Sequence, residues 1–138
     1  MAWPTRNLWT GLTRGSCEDG LLQAREIRAL PLRADLVILS ACDTGKGKPL
    51  GEEGIASLEH AFLLASAKAV IASLWTADDW STTFLMKRLY QHLVDGSDKA
   101  AALRQAKLDL LNDFGDQALP VYGAGFILVG EGSTVIFK

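Results

Sequence analysis

The sequence contains few of the residues that bind metals or cross-link a chain. It has two cysteines, Cys17 and Cys42, and two histidines, His60 and His92, and neither a CxxC nor a CxxH spacing occurs. Residues this scattered do not indicate a zinc site, and reduced thiols are typical of a protein inside the cell. The sequence therefore predicts a cytoplasmic protein that holds no metal and no cofactor.

The sequence also lacks an excess of charge and any long apolar run. Fourteen Lys and Arg residues oppose sixteen Asp and Glu residues, which gives a net charge of −2. Nucleic acids and anionic membranes attract concentrated positive charge, so neither is expected as a partner. No stretch is long and apolar enough for a signal peptide or a membrane-spanning helix.

The length and the apolar content are those of one domain, residues 1–138. Of the 138 residues 49% are hydrophobic and 22% charged, a balance that supports a packed core. Continuous apolar runs predict buried strands at 36–39, 69–75 and 126–129, with 134–137 as a shorter fourth candidate. Helical spacing and capping residues predict helices over 20–30, 52–67, 80–94 and 97–114.

This order of elements predicts an α/β domain. Strand, helix, strand, two helices and strand fit a mainly parallel sheet of three to four strands flanked by helices. That is fewer strands than a full doubly wound sheet has. Residues 1–35 are expected to be an irregular N-terminal segment with one short helix.

The loop that follows the first predicted strand holds a candidate nucleophile. Residues 40–45 read Ser-Ala-Cys-Asp-Thr-Gly, and catalytic groups of parallel sheets collect beyond the carboxyl ends of the strands. A thiol at Cys42 would be held rigidly and still be accessible to a substrate. Cysteine is also a common core residue, and the residues alone favour that inert alternative.

Other polar and aromatic residues have simpler explanations than catalysis. Asp78 and Asp79 precede a predicted helix, so capping explains them better than acid–base or metal chemistry. For Trp75 and Trp80 core packing is expected, with pocket walls as the alternative. His60 and His92 are expected to be ordinary helix residues, and the Gly-Lys tract at 44–49 lacks the spacing of a phosphate-binding loop.

Several short motifs follow one another along the chain. They are Asp19-Gly20-Leu21-Leu22, Arg25-Glu26-Ile27, Ser40 to Gly45, Gly51-Glu52-Glu53-Gly54-Ile55, Ala61-Phe62-Leu63, Ser73-Leu74-Trp75, Asp78-Asp79, Ala102-Leu103-Arg104-Gln105-Ala106 and Phe126 to Gly130. In this order they resemble the C-terminal part of a CHAT domain, a family of caspase-like cysteine peptidases that are often joined to tetratricopeptide repeats.

The resemblance implies part of a caspase-like three-layer sandwich and a role for each residue at one edge of its sheet. Cys42 takes the position of the nucleophile, and its backbone N–H forms part of the oxyanion hole. We expect the substrate to be bound there by five residues: Asp43, Gly45, Trp75, Asp78 and Asp79.

The sequence departs from the family pattern at two places. The family's general base is a histidine in a His-Gly step before the nucleophile, but this sequence has no His-Gly step, and His60 follows Cys42. Near the end, where Trp-Ala-Ala-Phe is common, the chain has Gly123-Ala124-Gly125-Phe126, which predicts a looser approach to the last strand.

The sequence therefore predicts a CHAT-type cysteine endopeptidase fragment that carries the nucleophile, lacks the base and is inactive alone. A thiol without an adjacent imidazole is a few per cent thiolate at neutral pH, and a nearby Asp43 carboxylate would raise its pKa further. The alternative function is a non-catalytic interaction module or a truncated product. An unpaired edge on the first strand would favour a homo-oligomer or a partner protein.

Overall fold

The computed structural model describes residues 24–40, 52–75, 78–115 and 119–137. They form four α-helices and three β-strands, with a 3-10 turn at Pro120–Tyr122. The elements in chain order are α1 (Ala24–Arg28), β1 (Val37–Leu39), α2 (Glu52–Leu64), β2 (Ala69–Ser73), α3 (Asp79–Val94), α4 (Lys99–Phe114) and β3 (Phe126–Gly130).

The three main predicted strands and the predicted helices are present, with small shifts at their ends. The helix predicted over 52–67 ends at Leu64, because Ser66 adopts the left-handed conformation at φ 74° and the helix cannot continue through it. Of the helix predicted over 20–30, residues 24–28 are helical, and residues 20–23 lie outside the described part of the chain.

The three strands form one mixed sheet in the order β1-β2-β3. β1 pairs with β2 in parallel, with Val37 opposite Val70, and β2 pairs with β3 in antiparallel, with Ser73 opposite Phe126. The α/β fold class is thus confirmed, but only one of the two strand pairings is parallel. Residues 134–137 form no fourth strand and contribute a single antiparallel bridge, between Asp98 and Val135.

The main core lies between the sheet and the helices α3 and α4. All five residues of β2 are buried, as expected for a central strand, and Ile71 packs among the core residues of the two helices. The buried residues of this cluster are Ile71, Leu85, Leu89, Leu93, Ala102, Leu103, Ala106, Leu110 and Phe126.

A smaller core forms between α1 and α2. It consists of Ile27, Ala61 and Ala65, with Leu58 and Phe62 packed against them. Since side chains alternate along a strand, Val70 and Ala72 point away from Ile71, and α2 also packs against β2. The sheet therefore has helical cover on both faces, as in a three-layer sandwich.

A buried lysine attaches the C-terminal segment to α4. The Lys99 side chain is fully buried, and its Nζ donates to the Glu131 carbonyl oxygen at 3.0 Å, to Glu131 Oε2 at 3.1 Å and to Thr134 Oγ1 at 2.7 Å. A buried ammonium needs such acceptors, because an unpaired one would carry a large desolvation cost. This cluster lies where β3 ends, at the edge of the sheet opposite the carboxyl ends of β1 and β2.

Candidate functional site

The carboxyl ends of β1 and β2 lie at the same edge of the sheet, which we call the rim. The parallel register places Leu39 beside Ala72, so Ser40 and Ser73 continue the chain at this edge. β3 begins there as well, because its antiparallel register sets Phe126 opposite Ser73. Three of the predicted site residues, Cys42, Asp43 and Gly45, lie outside the described residues, as does the Gly-Lys tract at 44–49.

Trp75 forms part of the rim and is held there by three contacts. Its Nε1 donates to the Val121 carbonyl oxygen at 3.1 Å, and its own carbonyl oxygen accepts from Ser73 Oγ at 2.5 Å. Its indole covers Gly125, where an added Cβ would come within 2.6 Å of Trp75 Cε2. The expectation of a core tryptophan is wrong, because 39% of Trp75 is exposed.

The Trp75 contact also explains why the chain has glycine at position 125. The sequence predicted a looser approach to β3 there, but the indole of Trp75 fills the space that a larger residue would need. In addition, the Leu74 N–H donates to the Gly125 carbonyl oxygen at 2.9 Å, which continues the strand pairing past Ser73. The pair of Trp75 and Gly125 was not found from the sequence, although the unusual glycines marked the position.

Asp78 is the N-cap of α3, as predicted. Its Oδ2 accepts from the backbone N–H of Trp80 at 3.1 Å and of Ser81 at 3.2 Å, and Ser81 Oγ returns a bond to the Asp78 carbonyl oxygen. This pattern satisfies helix N–H groups that have no partner within the helix. Asp79 lies in the first turn with an exposed side chain, where a negative charge complements the helix dipole.

Neither histidine lies at the rim. His60 is exposed on α2, and His92 is half-buried near the end of α3, about 20 Å along the helix axis from Asp79. The Nε2 atom of His92 lies 2.7 Å from Asp109 Oδ2 on α4, and Gln105 donates to the other oxygen of that carboxyl. The hydrogen bond from His92 is the main reason why the pKa of Asp109 lies below its usual range. We therefore assign His92 to the contact between α3 and α4.

An aromatic cluster, which we define as Trp80, Phe84, Phe114 and Tyr122, borders the start of α3. Trp80 stacks on Phe84 at 5.6 Å between ring centroids and meets Phe114 edge-on at 4.7 Å, and Phe114 stacks on Tyr122 at 5.1 Å. Core packing was expected for Trp80, but 53% of it is exposed. A shallow groove of about 350 Å³ runs along this part of α3 and is lined by Asp79, Trp80, Thr83, Phe84 and Lys87.

Glu59 on α2 is a buried ionisable residue that the sequence did not single out. It is 7% exposed, and its Oε1 has no hydrogen-bond partner within the described residues. Burial raises the pKa of this carboxyl, because the charged form is poorly solvated there. Its position next to Leu58 and Phe62 on an apolar helix gave a weak signal of burial.

The described ranges contain no cluster of three or more side chains suited to a metal ion. Nor do they include a helix with the length and hydropathy needed to cross a bilayer.

Comparison with known proteins identifies the family. The family model of the CHAT domain matches residues 6–131. Tetratricopeptide repeat protein 28 of Homo sapiens is 30% identical over 114 residues, which are 83% of this chain and 4% of that protein. The same protein of Mus musculus is 29% identical over 111 residues, 80% of this chain and 4% of that protein.

The family model matches most of the sequence, and the structure has a β-sheet with helices on both faces. The chain therefore belongs to the CHAT domain family. It spans only about 4% of the length of the curated relatives.

Proposed function

We propose that this chain carries the nucleophile of a CHAT-type cysteine endopeptidase at Cys42. We also propose that its general base comes from outside the part of the rim that the structure describes. The observation that carries the proposal is the family match, which spans residues 6–131 and so includes Cys42. The substrate would be a polypeptide. The full-length protein would join this domain to tetratricopeptide repeats, as the names of its relatives suggest.

The position of β1 supports the assignment of Cys42. Ser40 follows β1 directly at the rim, and Cys42 comes two residues later in the sequence. Trp75, Asp78 and Asp79 lie beyond the end of the neighbouring strand β2. We propose that these three residues, together with Asp43 and Gly45, border the substrate cleft.

The proposed reaction forms and breaks a thioester. The Cys42 thiolate attacks the peptide carbonyl carbon, the C–S bond forms, and the C–N bond breaks as the amine leaves with a proton from the base. Water then hydrolyses the thioester, which releases the acid and restores the thiol. His92 packs against Asp109 on α4 and His60 is exposed on α2, so we assign neither of them the role of this base. We propose that the chain alone is a poor peptidase.

Chemical rescue with imidazole tests this proposal. We expect the chain to hydrolyse an activated ester slowly and free imidazole to increase the rate, because imidazole supplies the missing base. Cys42→Ser should abolish the increase, whereas Cys17→Ser should leave it unchanged. An equal imidazole effect in the wild type and in Cys42→Ser would rule out Cys42 as the nucleophile.

A second candidate function is an interaction module, and β1 provides the reason. Its residues are only half-buried although all three are large and apolar, and within the described ranges β1 pairs on one side only, with β2. An open edge of this kind can accept a strand from a second chain. We therefore propose that the chain forms a homo-oligomer, or binds a partner protein, through β1 and acts in the cytoplasm.

Light scattering tests the homo-oligomer. At tens of micromolar the chain should have the mass of a dimer or a larger oligomer, and Ile38→Pro should convert it to a monomer, because proline removes the donor N–H of the strand. A wild-type chain that stays a monomer at this concentration would contradict homo-oligomer formation.

A further inference from the structure

Along the first two and a half turns of α3, two rows of side chains lie next to each other. Asp79, Thr83 and Lys87 follow one another at intervals of four residues and are exposed, and Trp80 and Phe84 form the neighbouring row. Residues four apart lie on the same face of a helix. The groove between the rows is therefore apolar in its middle, acidic at the end near the rim and basic at the other end.

The aromatic cluster makes this surface rigid. Trp80 is held by Phe84 on one side and by Phe114 on the other, and the Arg88 guanidinium lies 5.2 Å from the ring centroid of Phe84. An exposed tryptophan fixed in this way loses little conformational entropy on binding. Such residues are typical anchors of protein interfaces.

The charges distinguish between possible ligands. Asp79 and Lys87 form no ion pair with each other or with any other residue in the described part of the chain. Opposite charges at the two ends do not suit a nucleic acid or an anionic membrane, both of which need one sign of charge. A polypeptide can present a basic and an acidic side chain together, with an apolar side chain between them.

The spacing sets the length of the peptide. Eight residues of α-helix separate the two charged positions by about 12 Å, and an extended chain advances about 3.3 Å per residue. A basic and an acidic residue four positions apart in an extended peptide would therefore reach Asp79 and Lys87.

We propose that this groove binds an extended polypeptide segment with a basic residue at Asp79, an acidic residue four positions away at Lys87, and a large apolar side chain on Trp80 and Phe84. The site requires nothing of Cys42, and its occupant is a segment of a partner protein. It would position such a segment next to the rim.

Fluorescence anisotropy with a labelled Lys-Ala-Leu-Ala-Glu peptide tests the proposal on the full chain. We expect saturable binding that Trp80→Ala weakens at least about tenfold. Tyr90→Ala is the matched control, because Tyr90 is a 52% exposed aromatic residue on the same helix outside the groove, and it should leave the affinity unchanged. No binding at 1 mM peptide, or equal losses in the two variants, would overturn the proposal.

A charge exchange gives a second test that does not depend on the stability of the Trp80→Ala variant. Lys87 is exposed, so Lys87→Glu should fold normally and bind the original peptide up to about fivefold more weakly. It should bind Lys-Ala-Leu-Ala-Lys more tightly than the wild type does. If Lys87→Glu does not change the peptide preference in this way, the proposal is wrong. It is also wrong if the chain forms a dimer that Trp80→Ala dissociates and the peptide does not, since a second copy would then occupy the groove.

Discussion

At the scale of single residues, Trp75 and Gly125 contact each other at the rim, where β2 and β3 are joined. A Cβ added at position 125 would lie only 2.6 Å from the Cε2 atom of the Trp75 indole. Position 123 is different, because a Cβ there would meet Leu110, Lys107 and Leu85 at ordinary distances of 3.7 to 3.9 Å. The two glycines therefore have different structural roles, although they are separated by one residue.

We predict that Gly125→Ala destabilises the protein and Gly123→Ala does not. The added methyl at position 125 must displace Trp75 and weaken its bond to Val121, which should cost about 1–3 kcal/mol of unfolding free energy. At position 123 the change should be neutral or stabilising by up to about 1 kcal/mol, through the lower entropy of the unfolded chain. Urea denaturation followed by tryptophan fluorescence measures both, and equal losses would show that Trp75 does not depend on glycine at position 125.

At the scale of elements, the sequence predicted which segments form helices and strands better than how they pack. β2 was predictable because a continuous apolar run such as Ala-Val-Ile-Ala-Ser is typical of a strand covered on both faces. The direction of β3 was not, since Phe-Ile-Leu-Val has the same pattern in either direction. The exposure of Trp80 was also not predictable, because helical spacing identifies the apolar face of α3 but not how far the neighbouring elements cover it.

The start of α4 and the segment after β3 form a pH-sensitive contact. Hydrogen bonds from Ser133, Thr134 and Lys99 lower the pKa of the Glu131 carboxyl to about 2, from an ordinary value of 4.5. The charged carboxylate is therefore favoured in the folded state. Its contribution to stability is complete above pH 4.5 and is lost as the pH falls from 4.5 towards 2.

We predict that Glu131→Gln removes part of the acid sensitivity of folding. The unfolding free energy of the wild type should fall more steeply between pH 5 and pH 2 than that of the variant, because the amide has no charge to lose. Thermal unfolding monitored by circular dichroism over this range provides the measurement. Asp113→Asn, at an exposed carboxyl on α4, is the control and should follow the wild type, and parallel curves for all three proteins would contradict the assignment.

At the scale of the whole molecule, the proposed peptidase chemistry is concentrated at one edge of the sheet. The carboxyl ends of β1 and β2, the indole of Trp75 and the start of α3 all lie at the rim, whereas the Lys99 cluster lies at the opposite edge of the sheet. The sequence predicted this edge because catalytic groups of parallel sheets collect beyond the carboxyl ends of the strands, and the resemblance to CHAT domains implies that Cys42 lies there. It could not predict the contacts at the rim, since these join residues up to 50 positions apart.

The most direct test of the account is whether the Cys42 side chain lies at the rim near Trp75. We propose to attach bimane to Cys42 in a Cys17→Ser background, because a tryptophan in contact with bimane quenches its fluorescence. We predict a quenched probe that becomes brighter in Trp75→Phe. As a control, bimane is attached at position 92 in a His92→Cys variant without the native thiols, and its fluorescence should not respond to Trp75→Phe. A bimane at Cys42 whose brightness is the same with and without Trp75 would place the thiol elsewhere and contradict the proposed site.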